Sequence, residues 1–521
     1  MADSCTRRRF LIQAAAAAGG AGASGAWAAG KPTEQASAPS SGQDKRPNIL
    51  FCLADDWSWP HASLTADKVV KVPTFDRMAR EGAVFRSAYV AAPSCTPSRA
   101  AILTGQWHWR LEEGSYLYGT LPAKFDVYPD LLERAGYHVG HTRKGWGPGN
   151  ETAGGRKRNP AGPKFKDFDA FLAQRKAGQP FCFWFGSLDP HRGYAWESGV
   201  KGGMKAEDVN VPPYLSDCET VRKDVCDYYV EVQRFDKEVG QLLATLEKMG
   251  ELDNTIVVMS GDNGWPFPRA KATLYDSGTN VPLAVRWPAR VKGGRVIDDF
   301  VSLTDLAPTF LQAAGLDVPQ AMTGRSLMNV LTSDKSGRVD PARDHLLTGI
   351  ERHVWARRRP DGGADCYPSR CLRTHEFHYI RNFKPDRWPA GPPDAMADAA
   401  RPPTYQQLCG NTFTAYADVD AGPSKAWMLL HRDEPAVAPL CRMAFDKRPE
   451  RELYDVRKDP HQLHNLADDP ACADTLKRLD EQLIAELTAT GDPRATGRGD
   501  VFDRYPVYHG QARAPGKAKK K

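Results

Sequence analysis

The chain has 521 residues, 41% of them hydrophobic and 26% charged, which is the balance of a folded protein with room for more than one core. The net charge of +6 is modest, and much of it sits at the two ends, in Arg7, Arg8 and Arg9 and in Lys517, Lys519, Lys520 and Lys521. That distribution argues against a folded nucleic-acid-binding face and leaves room for a polyanionic substrate.

In chain order, Thr6-Arg7-Arg8-Arg9-Phe10-Leu11 precedes an Ala/Gly-rich apolar stretch and a small-residue cleavage site at Ala26-Trp27-Ala28. This reads as a twin-arginine signal peptide over 1–29, with no stable membrane span. It implies export through the twin-arginine machinery to the periplasm or the extracellular space. Residues 30–46 read as a flexible Ser/Gly/Pro linker. A catalytic domain is expected over 47–365, a smaller domain over 366–508 and a basic disordered tail over 509–521.

The folded part begins with Asn48-Ile49-Leu50-Phe51-Cys52-Leu53, a short apolar run that ends at Asp55-Asp56 and reads as a buried strand. Helices are expected near 74–81, 128–135, 226–249 and 473–488, and further strands near 181–186 and 255–259. Strands alternating with helices predict an α/β fold with a largely parallel sheet. The polar motifs fall just after the strands, at the carboxyl edge where open α/β sheets build their sites. Past residue 345 the rhythm fades, and a smaller α+β unit with an antiparallel sheet is expected.

Setting aside Cys5 and Cys95, nine of the 11 cysteines remain. The odd number excludes an all-disulfide framework in a monomer. Cys218 with Cys226, or Cys366 with Cys371, are the pairs that could form. Two carboxylates at a strand end, Asp55 and Asp56, repel unless a cation lies between them. A second strand ends in Asp262-Asn263, which adds a carboxylate and an amide oxygen. Hard oxygen donors of this kind suit Ca2+ or Mg2+ rather than zinc.

The stretch Cys95-Thr96-Pro97-Ser98-Arg99-Ala100-Ala101-Ile102-Leu103-Thr104-Gly105 resembles the signature of the type I, formylglycine-dependent sulfatases. The resemblance runs over residues 47–490. It implies an alkaline-phosphatase-like fold and a metal set of Asp55, Asp56, Asp262, Asn263 and residue 95. It also implies that a formylglycine-generating maturation enzyme oxidises Cys95 to an aldehyde whose hydrate attacks sulfur. Arg99, Lys144 in Arg143-Lys144-Gly145-Trp146, and Lys271 match the family's catalytic cations. His191, in Asp189-Pro190-His191-Arg192, matches its general acid.

Gly264-Trp265-Pro266-Phe267-Pro268 and Cys366-Tyr367-Pro368-Ser369-Arg370 resemble the heparan N-sulfatase branch. A sulfated glycan is the implied substrate, with His353 and Arg370 as candidate sugar contacts on the pocket rim. The alternatives are an O-sulfatase, a phosphate-ester hydrolase of the same superfamily, and a non-catalytic sulfated-glycan-binding protein. Trp146 stands where the family has a histidine, and His138 or His141 are the residues that could replace it. The oligomeric state stays open, a homodimer among the options.

Overall fold

The computed structural model describes residues 46–508 except residue 66. The expected signal peptide, nearly all of the expected linker and the expected basic tail lie outside the described residues.

The larger sheet has eight strands: β1 (Asn48–Ala54), β2 (Ala83–Phe85), β4 (His138–Arg143), β5 (Lys164–Phe165), β6 (Phe181–Gly186), β7 (Thr255–Gly261), β8 (Leu283–Arg286) and β9 (Arg295–Ile297), with a short β3 (Ala88–Tyr89) pairing outside it with β10 (Val301–Ser302). Its spatial order is β5-β4-β6-β1-β7-β8-β2-β9. Only β8 runs against its neighbours, so the sheet is mixed and mostly parallel, as expected.

Every residue of β1 is buried, because both faces of the sheet are covered. Alternation along the strand sends Leu50, Cys52 and Ala54 into one core with Val225, Val232 and Phe235, and Ile49, Phe51 and Leu53 into the other with Ala100, Leu103 and Phe310. The first core is closed by a 30-residue helix, Glu219–Lys248, which begins a full seven residues before the expected start. Its first turns are charged and carry Val221 and Val225 inward, so the apolar stripe is sparse there although the helix continues.

The second sheet is antiparallel, with order β11 (His345–Ile350), β12 (Ser369–Thr374), β13 (Phe377–Asn382) and β14 (Arg451–Asp455). The expected domain boundary at residues 365 and 366 falls between its first and second strands. The helix Ala473–Ala489 lays Leu476, Leu479, Leu483 and Leu487 on Leu347, Leu372, Tyr379 and Leu453 of this sheet. That spacing of three and four residues is the apolar stripe of an amphipathic helix. The ten described cysteines are free thiols, so neither Cys218 with Cys226 nor Cys366 with Cys371 is paired. No helix among the described residues is long and apolar enough to cross a membrane.

Candidate active site

The register of the central strands builds the site. Ala54 of β1 lies opposite Gly261 of β7, so the two segments leave the sheet side by side and bring Asp55 and Asp56 to Asp262 and Asn263. In an extended strand Asp55 and Asp56 would point to opposite faces. Asp56 instead turns into the left-handed region, at φ 75°, and both carboxylates converge. On the next strands out, β4 and β6 end at Arg143 and Gly186, and the Lys144 amide donates to the Gly186 carbonyl at 3.1 Å. Gly186 is required there, since a Cβ would sit 1.7 Å from the Lys144 carbonyl oxygen.

Cys95 opens the helix Cys95–Thr104, all ten residues of which are buried and which Gly105 ends in the left-handed region. Its thiol donates to Asp55 Oδ1 at 3.4 Å. One ligand atom each from Asp55, Asp56, Cys95 and Asp262 lies within 4.8 Å of the others. Three cations and a histidine surround this group. Arg99 Nε donates to Asp262 Oδ2 at 2.7 Å, and its Nη1 donates to the carbonyls of Lys144 and Gly145. Lys144 Nζ reaches both oxygens of Asp55, at 2.7 and 2.6 Å. Lys271 Nζ donates to Asp56 Oδ2 at 2.8 Å and to Asp420 Oδ2 at 3.0 Å. His191 Nε2 stands 3.9 Å from Asp56 Oδ2, while its Nδ1 pairs with the Arg192 carbonyl.

The electrostatics follow from burial and this ring of charge. Burial pushes the Asp55 carboxyl up, but Lys144, His191, Arg99 and Lys271 together hold it well below the usual carboxylate range. Asp262 goes the other way, to about 6, because burial and the fields of Asp55 and Asp56 outweigh Arg99 and Lys144. Burial, reinforced by Asp55, pushes the Cys95 thiol well above its ordinary value. Without a cation, a cysteine at position 95 is therefore held as a thiol rather than a thiolate.

The donor set fits a hard divalent cation on one further observation. Asn263 Nδ2 donates to Asp56 Oδ1 at 2.7 Å and to the Gly264 carbonyl, whereas its Oδ1 is buried with no hydrogen-bond partner. A buried amide oxygen left unpaired costs about 1–3 kcal/mol unless something binds it. An orphaned oxygen beside three carboxylates is the arrangement a Ca2+ or Mg2+ ion satisfies.

The site opens into a cavity of about 940 Å3. Lys144, His191, Lys271, His353 and Asp420 line it, with Leu117, Tyr118, Val354 and Phe413 as an apolar wall. His353 is held by Ser94, the neighbour of Cys95, through Nδ1 at 2.8 Å from Oγ. Arg370 is not on the rim. It is fully buried on β12, clamped between Asp492 and Glu351 at 2.6 Å each, and cannot reach a sugar. Trp146 is buried at the cavity edge. Of the two histidines that could replace the family's, His138 is stacked on Phe171 and bonded to its carbonyl, away from the site. His141 lines the cavity, with Nδ1 on the Gly162 carbonyl at 2.9 Å. Asp420 is the residue that sequence reasoning missed. It reaches the site from a segment without regular structure, 149 residues after Lys271.

Comparison with known proteins agrees with the geometry. The chain is 28% identical to an ulvan-active sulfatase of Formosa agariphila, covering 88% of this chain and 78% of that one. It is 28% identical to the N-sulphoglucosamine sulphohydrolase of Homo sapiens, covering 86% and 91%. The phosphonate monoester hydrolase of Silicibacter pomeroyi shares the fold alone, with a TM-score of 0.60 at 18% identity over 86% of this chain and 96% of that one. The sulfatase family model matches residues 47–316, more than half of the chain. The chain therefore belongs to the sulfatase family of sulfate-ester hydrolases.

Proposed function

We propose that this sulfatase removes the N-linked sulfate from glucosamine residues of a heparan-type glycan, with formylglycine at position 95 and one Ca2+ or Mg2+ ion. The observation that carries the reading is the buried group of Asp55, Asp56, Cys95 and Asp262 with the orphaned Asn263 Oδ1, Asp55 and residue 95 lining the cavity. The likeness to the human N-sulphoglucosamine sulphohydrolase over nearly its whole length supports the substrate.

Asp55, Asp56, Asp262, Asn263 and residue 95 would hold the cation. When bound, it supplies a Lewis acid that polarises a sulfate oxygen and lowers the pKa of a neighbouring hydroxyl. Formylglycine supplies a hydrated aldehyde in place of a thiol that this environment keeps protonated.

The chain's own groups do the rest. Arg99 fixes Asp262 and so sets the direction from which that carboxylate accepts a proton. Lys144 and Lys271 point two ammonium groups at the mouth of the acidic group, where the sulfate's charge collects. His191, half-exposed with Nε2 facing Asp56, is placed to protonate the leaving atom. His141 keeps a hydrogen on Nδ1 for the Gly162 carbonyl, which leaves Nε2 as a proton acceptor. Burial, opposed in part by its backbone partners, pushes it down to about 4, so it is neutral near pH 7. The wall of Leu117, Tyr118, Val354 and Phe413 gives a sugar ring an apolar face to pack on.

The formylglycine-generating enzyme and the twin-arginine machinery are the partners this reading requires, in that order, because the twin-arginine route carries folded protein to the periplasm or beyond. A second reading, an O-sulfatase of another polysaccharide, draws on the equally similar ulvan-active relative. Sulfate release from N-sulfoglucosamine and from O-sulfated sugars separates the two. Turnover of the O-sulfated sugars alone overturns the N-sulfatase reading.

A further inference from the structure

We propose that Asp420 determines specificity for an N-linked over an O-linked sulfate, by accepting the hydrogen on the substrate's bridging nitrogen beside His191. This rests on the N-sulfatase reading above and goes beyond it.

Ligand atoms of Asp56, His191 and Asp420 lie within 4.8 Å of one another, which puts the Asp420 carboxylate next to the proposed acid. Lys271 occupies one of its oxygens, Oδ2, at 3.0 Å. The other, Oδ1, has no hydrogen bond among the described residues, and the side chain lines the cavity. A carboxylate cannot face the sulfate, which it would repel. It takes a donor, and beside His191, where the leaving atom lies in the reading above, the bridging atom offers one in a single substrate class. The bridging nitrogen of a sulfamate carries a hydrogen, whereas the bridging oxygen of a sulfate ester presents only lone pairs. A site built to accept a hydrogen discriminates strongly against an analogue that lacks it.

As the S–N bond breaks, its electron pair stays on nitrogen and His191 Nε2 gives that nitrogen a proton. The sulfuryl group passes to the nucleophile and finally to water. The overall change is sulfamate plus water to amine plus hydrogen sulfate. The original hydrogen stays on nitrogen and is donated to Asp420 throughout; the proton that hydrogen sulfate releases as it ionises to sulfate then makes the amine an ammonium, which the carboxylate continues to hold.

Asp420 is also firmly placed. Asp418, two residues earlier, accepts from the Val354 amide at 2.9 Å and pairs with Arg357 at 2.7 Å. Lys425 donates to the carbonyls of Thr412, Tyr416 and Val419. The loops of His191 and Asp420 share one node. Arg192 and Ser424 both bond Asp224, and Arg192 packs so tightly on Gly422 that a Cβ there would lie 2.6 Å from the guanidinium carbon. Acid and acceptor are therefore held by the same buried ion pair.

The test compares kcat/KM of the mature, full-length enzyme for N-sulfoglucosamine and for glucose 2-sulfate, which differ at the bridging atom. Wild type should favour the sulfamate, and Asp420→Asn should reduce that preference at least about tenfold, whatever the absolute rates. Equal losses on both substrates would overturn the role of Asp420 and leave the N-sulfatase reading standing. Wild-type turnover of the ester alone would overturn both. Product inhibition of wild type keeps the test open if the variant does not fold. Glucosamine should inhibit at least about tenfold more tightly than glucose, and equal inhibition refutes the proposal.

Discussion

Replacing Asn263 with alanine separates the metal reading from ordinary structural damage. Without a cation the variant loses a charge-assisted donor to Asp56, worth about 1.5–3 kcal/mol, and a neutral one to the Gly264 carbonyl, worth about 1 kcal/mol. It also sheds the buried, unpaired Oδ1, which relieves about 1–3 kcal/mol. The two nearly offset, so in chelator the variant should be only about 1–2 kcal/mol less stable than wild type. With Ca2+ or Mg2+ at about 100 times the wild-type Kd, wild type gains about 2.7 kcal/mol. Loss of one oxygen ligand that weakens binding on the order of 100-fold leaves the variant a gain of only about 0.4 kcal/mol at the same concentration. Thermal unfolding in chelator and in each cation reads both numbers. An equal cation-induced rise in Tm for variant and wild type would refute the assignment of Asn263 as a ligand.

Lys271→Met should lower kcat by about 100-fold or more, because it removes a cation that spans Asp56 and Asp420, and steady-state sulfate release measures it. Arg370→Met should cost about 3–5 kcal/mol of stability by leaving Asp492 and Glu351 buried without their cation. Its KM per folded molecule should not change, and a raised KM would restore Arg370 to the pocket. Burial disfavours the His378 imidazolium, but Cys371 and Asp276 hold its pKa up to about 9, above its unfolded value. Its contribution to stability is thus complete below about pH 6.5 and lost as pH rises through about 9, and His378→Asn should flatten the fall of Tm across that window.

The strands that carry the site were legible because they are short apolar runs buried on both faces and stopped by carboxylates. Asp55-Asp56 and Asp262-Asn263 announce both the strand ends and the cation they suit. What sequence could not supply is which distant charges meet. Arg370 follows a family-like motif, but its environment depends on Asp492, 122 residues away, which buries it in an ion pair. Asp420 has the opposite history. Nothing in its neighbourhood is periodic, and only the fold brings it to Lys271. The early start of the Glu219–Lys248 helix was hidden by charged residues that its own surface accommodates.

The most direct measurement is the mass of the peptide containing residue 95, taken from active enzyme made in a host with a formylglycine-generating enzyme. The expected mass is that of the aldehyde in place of the thiol, in proportion to specific activity. Full activity from protein whose residue 95 is an unmodified cysteine would contradict the assignment of the nucleophile, and with it the account of the site.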